Sequence, residues 1–85
     1  MKLLFTRNFI RDYRKLPQHR QKAIDKQLAH LLSDPHHPFL NIKKMQDPRD
    51  IWEGRVTGFY RFTFQIIDDT YLLRKAGTHD ILRMP

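Results

Sequence analysis

Glu53, Arg61 and His79 are three side chains whose types, taken together, complete a reaction. Cleaving RNA without a metal needs a base for the proton of a 2′-hydroxyl, a cation for the charge that gathers on the phosphate, and an acid for the departing 5′-oxygen. Glu53 can serve as the base. Arg61, with Arg55 beside it, offers the forked guanidinium that suits phosphate oxygens. Histidine changes charge near neutral pH, which fits His79 to the role of acid. Lys75, Lys43 and Lys44 add positive charge for binding a phosphate backbone. The same residues also have plainer uses. Glu53 and Arg55 can bridge charges across strands, Arg61 can be an ordinary surface cation, and His79 can simply close a strand end.

Most of these residues belong to one stretch, Ile51 to Asp80, that must position them. It divides into three segments, Ile51–Val56, Tyr60–Ile67 and Thr70–Ala76, broken at Thr57-Gly58 and Asp68-Asp69, compositions that favour tight turns. Three strands so joined make an antiparallel meander. Side chains alternate between two faces along a strand. Tyr60, Phe62, Phe64 and Ile66, with Trp52, Gly54 and Val56, therefore form a predicted core face. Glu53, Arg55, Arg61, Thr63 and Gln65 fall on the opposite, charged face. Gly77 is expected to end the last strand, with Thr78-His79-Asp80 turning out of it and Ile81–Pro85 a short tail.

Upstream, Lys2–Phe5 reads as a short strand and Thr6 as a helix N-cap. Phe9, Tyr13 and Leu16, with Ile10, mark one face of a helix that Pro17 interrupts. A second helix carries Ile24, Leu28, Leu31 and Leu32 on its apolar side and Gln18, Lys22, Asp25, Lys26 and Gln27 on the other, and Ser33-Asp34-Pro35 stops it. His36 to Asp50 reads as an irregular connection, with Leu40 and Ile42 tucking the Lys43-Lys44 pair against the body. The predicted fold is α+β in the order β-α-α-β-β-β, a single domain over residues 1–85. A two-helix hairpin packs on one face of a small, mainly antiparallel sheet, and the first strand pairs alongside the last ones.

Composition narrows the partners. A formal net charge of +7 in 85 residues favours a polyanion: nucleic acid, an acidic protein or an anionic membrane. There is no cysteine, hence no disulfide and no thiolate metal site. The opening MKLLF run is too short for a signal-peptide core, and no apolar run reaches the ~18 residues of a membrane span. A soluble, cytoplasmic protein with no membrane partner is expected. His19, His30, His36 and His37 match no standard ligand spacing, so neither metal nor cofactor is expected. Gly-rich phosphate loops, serine nucleophile elbows and cysteine nucleophiles are all missing.

The segments KKMQ, IWEGRV, FYRFTFQIIDD and LLRKAGTHDILR resemble the RelE/ParE superfamily of bacterial and archaeal toxins from type II toxin–antitoxin modules. Their most specific parts are Trp52-x-x-Arg55-Val56, Tyr60-Arg61 and Gly77-x-His79, and the likeness runs over nearly the whole chain. The resemblance implies a RelE-like fold and a toxin that cleaves messenger RNA on the ribosome without metal. It also implies a cognate antitoxin whose segment wraps the toxin and covers basic surface. By this likeness Arg61 is the phosphate-binding arginine, His79 the acid and Arg55 the arginine of the first meander strand. Glu53 falls where some relatives have a basic residue. Lys75 stands near a substrate-binding arginine of certain relatives, with Arg74 expected to point to the other face. The chain departs from the pattern after His79, where Asp80-Ile81-Leu82-Arg83 offers no aromatic residue. Two other readings accompany the mRNA endoribonuclease: a ParE-like inhibitor of DNA gyrase acting through protein contacts, and a non-catalytic module that binds its antitoxin in autoregulation.

Overall fold

Apolar residues recur at helical spacing up to residue 33 and at alternate positions after residue 50, and the chain folds accordingly. In the computed structural model, which describes residues 1–85, β1 (Lys2–Phe5) leads into α1 (Arg7–Lys15) and α2 (Gln18–Ser33). A 3-10 turn at Pro38–Leu40 and the two-residue strand β2 (Lys43–Lys44) precede β3 (Ile51–Thr57), β4 (Tyr60–Ile67) and β5 (Thr70–Thr78). A second 3-10 turn, His79–Arg83, follows. The strands form one sheet in the order β1-β5-β4-β3-β2, antiparallel except where β1 runs parallel to β5. The α+β architecture expected from the sequence is present, and β1 lies beside the last strand as anticipated.

Local chemistry sets the helix ends. Thr6 Oγ1 accepts from the Phe9 N–H at 3.2 Å and caps α1, a contact worth about 1 kcal/mol. Pro17 opens α2, and Asp34, extended at φ −153° ahead of Pro35, closes it. Phe9, Ile24, Leu28 and Leu31 from the helices meet Val56, Phe62, Phe64, Tyr71, Leu73 and Ala76 of the sheet, with Leu40 inserted from the connection. Trp52 and Tyr60 pack half-buried at the margin. Gly54 is required by close approach: a Cβ there would stand 2.3 Å from the Phe62 ring.

Several expectations need correction. Leu32 is exposed rather than core, and Gln27 is buried rather than solvated. Gln27 lies three residues after Ile24 on the inward stripe, where its Nε2 donates to the Phe39 and Arg55 carbonyls at 2.9 and 2.7 Å. It thereby closes an edge of β3 that no strand covers. The His36–Asp50 connection is not wholly irregular, since buried Leu40 anchors it and Lys43–Lys44 adds an edge strand. Ile66, assigned to the core face, is exposed near the end of β4. The last strand continues through Gly77 to Thr78.

Arg74 does not point away from Lys75. The β4–β5 register slips between Thr63, opposite Lys75, and Phe64, opposite Leu73, leaving Arg74 as an extra residue. Such a bulge keeps two successive side chains on one side of the sheet. Its backbone is held from the helix side: Thr6 Oγ1 donates to the Arg74 carbonyl and Asp12 accepts from the Ala76 N–H, each at 3.1 Å.

Candidate active site

The helices cover one face of the sheet, so alternation leaves the charged side chains on the other. Register arranges them in rows. Lys43, Glu53, Thr63 and Lys75 stand side by side across β2, β3, β4 and β5. One step toward the β3–β4 turn, Arg55, Arg61 and Gly77 form the next row. The last β4–β5 pair is Tyr60 with Thr78, so the following step sets His79 at the same end of the sheet. Glu53 is therefore diagonal to Arg61, a relation with Cα separations of about 7–8 Å. Strand geometry, about 4.8 Å between strands and about 3.3 Å per residue, puts the Cα atoms of Glu53 and His79 on the order of 16 Å apart with Arg61 between them.

Arg61 is oriented by its own turn. Its Nη1 donates to the carbonyls of Gly58 at 2.7 Å and Tyr60 at 2.9 Å. Gly58 takes φ +50°, a conformation that glycine adopts without penalty and that a two-residue hairpin demands. Behind the turn, the Arg20 guanidinium of α2 lies 3.9 Å from the centre of the Tyr60 ring, a cation–π contact tying this end of the sheet to the helices. Nothing in the spacing of Arg20 and Tyr60 announces that contact, because forty residues and a change of element separate them.

The open face has two unlike halves. Away from the β3–β4 turn it is knitted shut. Asp47 pairs with Arg49 at 2.8 Å, the Arg49 carbonyl accepts from Gln65 Nε2 at 2.8 Å, and Gln65 Oε1 accepts from Arg74 Nη1 at 2.9 Å. The chain then folds back over the sheet, so that the Pro85 carbonyl accepts from Arg74 Nε and from Thr63 Oγ1, both at 3.1 Å. Hydrogen bonds from the Arg49 side chain, and then from its backbone, lower the Asp47 carboxyl to about 2. Toward the turn the cations have no such partners. The three ion pairs of the molecule are Lys2–Asp69, Lys44–Asp50 and Arg49–Asp47, and none involves Arg55, Arg61, Lys43 or Lys75.

The candidate residues thus divide. Glu53, Arg55, Arg61, Lys43 and Lys75 share the open face, and His79, exposed, begins the 3-10 turn that follows β5 at its turn end. Lys44 turns the other way, over the Trp52 ring at 5.9 Å and paired with Asp50 at 3.2 Å, because adjacent residues of a strand face oppositely. Ile81 lies over Gly77, so the returning segment runs along β4 and β5. No three His, Asp or Glu side chains converge as metal ligands, and no helix is long and apolar enough to cross a membrane.

No protein-family model and no curated protein matches the sequence. Solved structures do match the fold. A YoeB/ParE toxin from Agrobacterium tumefaciens superposes with a TM-score of 0.78 at 16% identity, over 93% of this chain and 99% of that one. A chain of the RelB–RelE antitoxin–toxin complex from Methanococcus jannaschii gives 0.75 at 22% identity, over 95% of each. YafQ from E. coli strain BL21(DE3) gives 0.75 at 16% identity, over 94% of each. With these TM-scores over nearly the full length of each chain, the protein shares the fold of these YoeB/ParE, RelE and YafQ structures.

Proposed function

We propose that this chain is the toxin of a type II toxin–antitoxin module and that it cleaves messenger RNA on the ribosome at the turn end of its open face. The observation that carries the reading is Arg61. Its guanidinium is pre-oriented by two carbonyls, free of any carboxylate, and flanked by Glu53 on one side and His79 on the other. A preorganised cation at the position where phosphate charge develops is a large source of rate enhancement.

In this mechanism Glu53 takes the proton of a 2′-hydroxyl, and the 2′-oxygen attacks the adjacent phosphorus. Arg61, assisted by Arg55, stabilises the charge on the non-bridging oxygens. The bond to the 5′-oxygen breaks as His79 delivers a proton to it. The products are a 2′,3′-cyclic phosphate and a 5′-hydroxyl, and no metal takes part. Lys43 and Lys75, in the same row as Glu53, hold flanking phosphates. A cognate antitoxin neutralises the toxin by covering this basic surface; the similar RelE of Methanococcus jannaschii is found in an antitoxin–toxin complex with RelB. The protein acts in the cytoplasm, where its substrate is translated.

Induction of the wild-type chain, followed by primer extension on cellular messages, tests the proposal. New message ends that disappear in His79→Ala and Arg61→Ala are expected, with both variants still binding antitoxin. Intact messages accompanied by gyrase–DNA damage select the protein-contact reading instead. Harmless accumulation of folded wild-type protein selects the non-catalytic one.

A further inference from the structure

The most exposed large apolar side chain of the molecule stands at the edge of this site. Phe59 is 80% exposed, beyond even Met84 at 73% and Phe39 at 64%. It occupies the two-residue connection between β3 and β4, a position where glycine and small polar residues are usual and where nothing in the fold requires an aromatic ring. It packs with no other ring, whereas the neighbouring Tyr60 is already engaged by Arg20. The two carbonyls that Arg61 grips are those on either side of Phe59, so ring and guanidinium are set by the same few atoms of turn. The β4–β5 ladder ends at the Tyr60–Thr78 pair, so Phe59 and His79 are the residues that leave the sheet at this same end.

A flat apolar surface, a phosphate-binding cation and an imidazole at one exposed corner are what an unpaired nucleotide requires: stacking for the base, charge for the phosphate. We propose that Phe59 stacks on a base of single-stranded RNA next to the linkage held by Arg61, and so fixes which phosphate faces His79. The proposal rests on the RNA reading of the open face and adds a positioning residue to it. Because every base presents a π-face, stacking on Phe59 tolerates many sequences, and any preference comes from how strongly a base stacks.

A short uridine oligomer carrying one 2-aminopurine and 2′-O-methyl riboses, which has no free 2′-hydroxyl and cannot be cut, is a suitable probe. Wild-type protein should quench the 2-aminopurine on binding. Phe59→Ala and Phe59→Leu should abolish the quenching and weaken binding by about tenfold, while Phe59→Tyr retains both. Their denaturation midpoints should match wild type, since the side chain is solvated. Arg61→Ala tests the face separately and should weaken binding whatever occupies position 59. If Phe59→Ala or Phe59→Leu quenches and binds as wild type does while Arg61→Ala is impaired, the stacking role is overturned and the RNA-binding face stands. Wild-type protein that fails to bind the oligomer also overturns the stacking role, and cleavage is then judged by message ends alone. Loss of affinity in Phe59→Leu with full rescue by Phe59→Tyr separates stacking from mere apolar bulk.

Discussion

The two halves of the open face use the same residue types for opposite ends. Arg74 and Arg61 are both arginines on interior strands of one sheet. Arg74 is spent internally, bonded to Gln65 and to the Pro85 carbonyl. Arg61 is bonded only to its own turn, and its remaining donors have no partner within the chain. The difference arises from neighbours rather than from the residue. A bulge turns Arg74 toward an amide and a returning carbonyl, whereas Arg61 faces Arg55 and a glycine. A guanidinium opposite another guanidinium is left in that state only at some cost to the fold. On the proposed function, an incoming phosphate would relieve that repulsion.

If the halves are so divided, substitutions should separate activity from stability. The largest effect belongs to the free half. His79→Ala and Arg61→Ala should each lower cleavage of ribosome-bound message by about 100-fold or more, as expected for loss of a general acid or of a preorganised charge donor. His79→Ala should shift unfolding free energy by less than about 0.5 kcal/mol in urea titrations, as is usual for exposed positions, and Arg61→Ala by about 1 kcal/mol, because it gives up its two turn hydrogen bonds. Arg74→Ala should do the reverse. It removes two hydrogen bonds from a half-buried guanidinium and should cost about 1–2 kcal/mol of stability, with cleavage changed only severalfold. A large loss of cleavage in Arg74→Ala at unchanged stability would merge the halves and break the comparison. Thr63→Val, which leaves the Pro85 carbonyl with Arg74 alone, should cost about 1 kcal/mol by the same measurement.

The smallest effect is a pH dependence. The Asp47 carboxyl, lowered from 3.8 to about 2 by Arg49, binds its proton less readily in the folded than in the unfolded chain. Its stabilising contribution is therefore complete above pH 3.8 and is lost as pH falls toward 2. Asp47→Asn should unfold more easily than wild type at pH 7, and the gap should close near pH 2 in matched thermal melts. A gap that persists in acid would mean that Asp47 acts through something other than its charge.

Much of this division was hidden in the sequence for identifiable reasons. The alternation of Tyr60, Phe62 and Phe64 announces a strand with one apolar face, and Thr6 before an apolar-periodic run announces a helix start. Both are local patterns, and both hold. The bulge at Arg74 is not local. It shifts the alternation by one residue, and its support comes from Thr6 and Asp12, more than sixty positions earlier. Gln27 belongs to the inward stripe by spacing and was assigned outward by polarity, although a buried amide is tolerated where two carbonyls await it. Lys43–Lys44 is too short to show a period, so neither its pairing with β3 nor the opposite facing of its two lysines was legible. For the candidate site, residue types suggested a base, a cation and an acid. Which cations remain unpaired depends on the returning chain at Pro85, and no spacing within Ile51–Asp80 encodes that return.

The central claim is that RNA is cut at the turn end of the open face by transfer of a proton from its own 2′-hydroxyl. The most direct measurement is the 5′-end chemistry of message fragments released from programmed ribosomes by the purified chain in the presence of a chelator. Fragments with 5′-hydroxyl ends, absent when His79→Ala replaces wild type, are the expected result. Fragments with 5′-phosphate ends, or cutting that His79→Ala leaves undiminished, would contradict it.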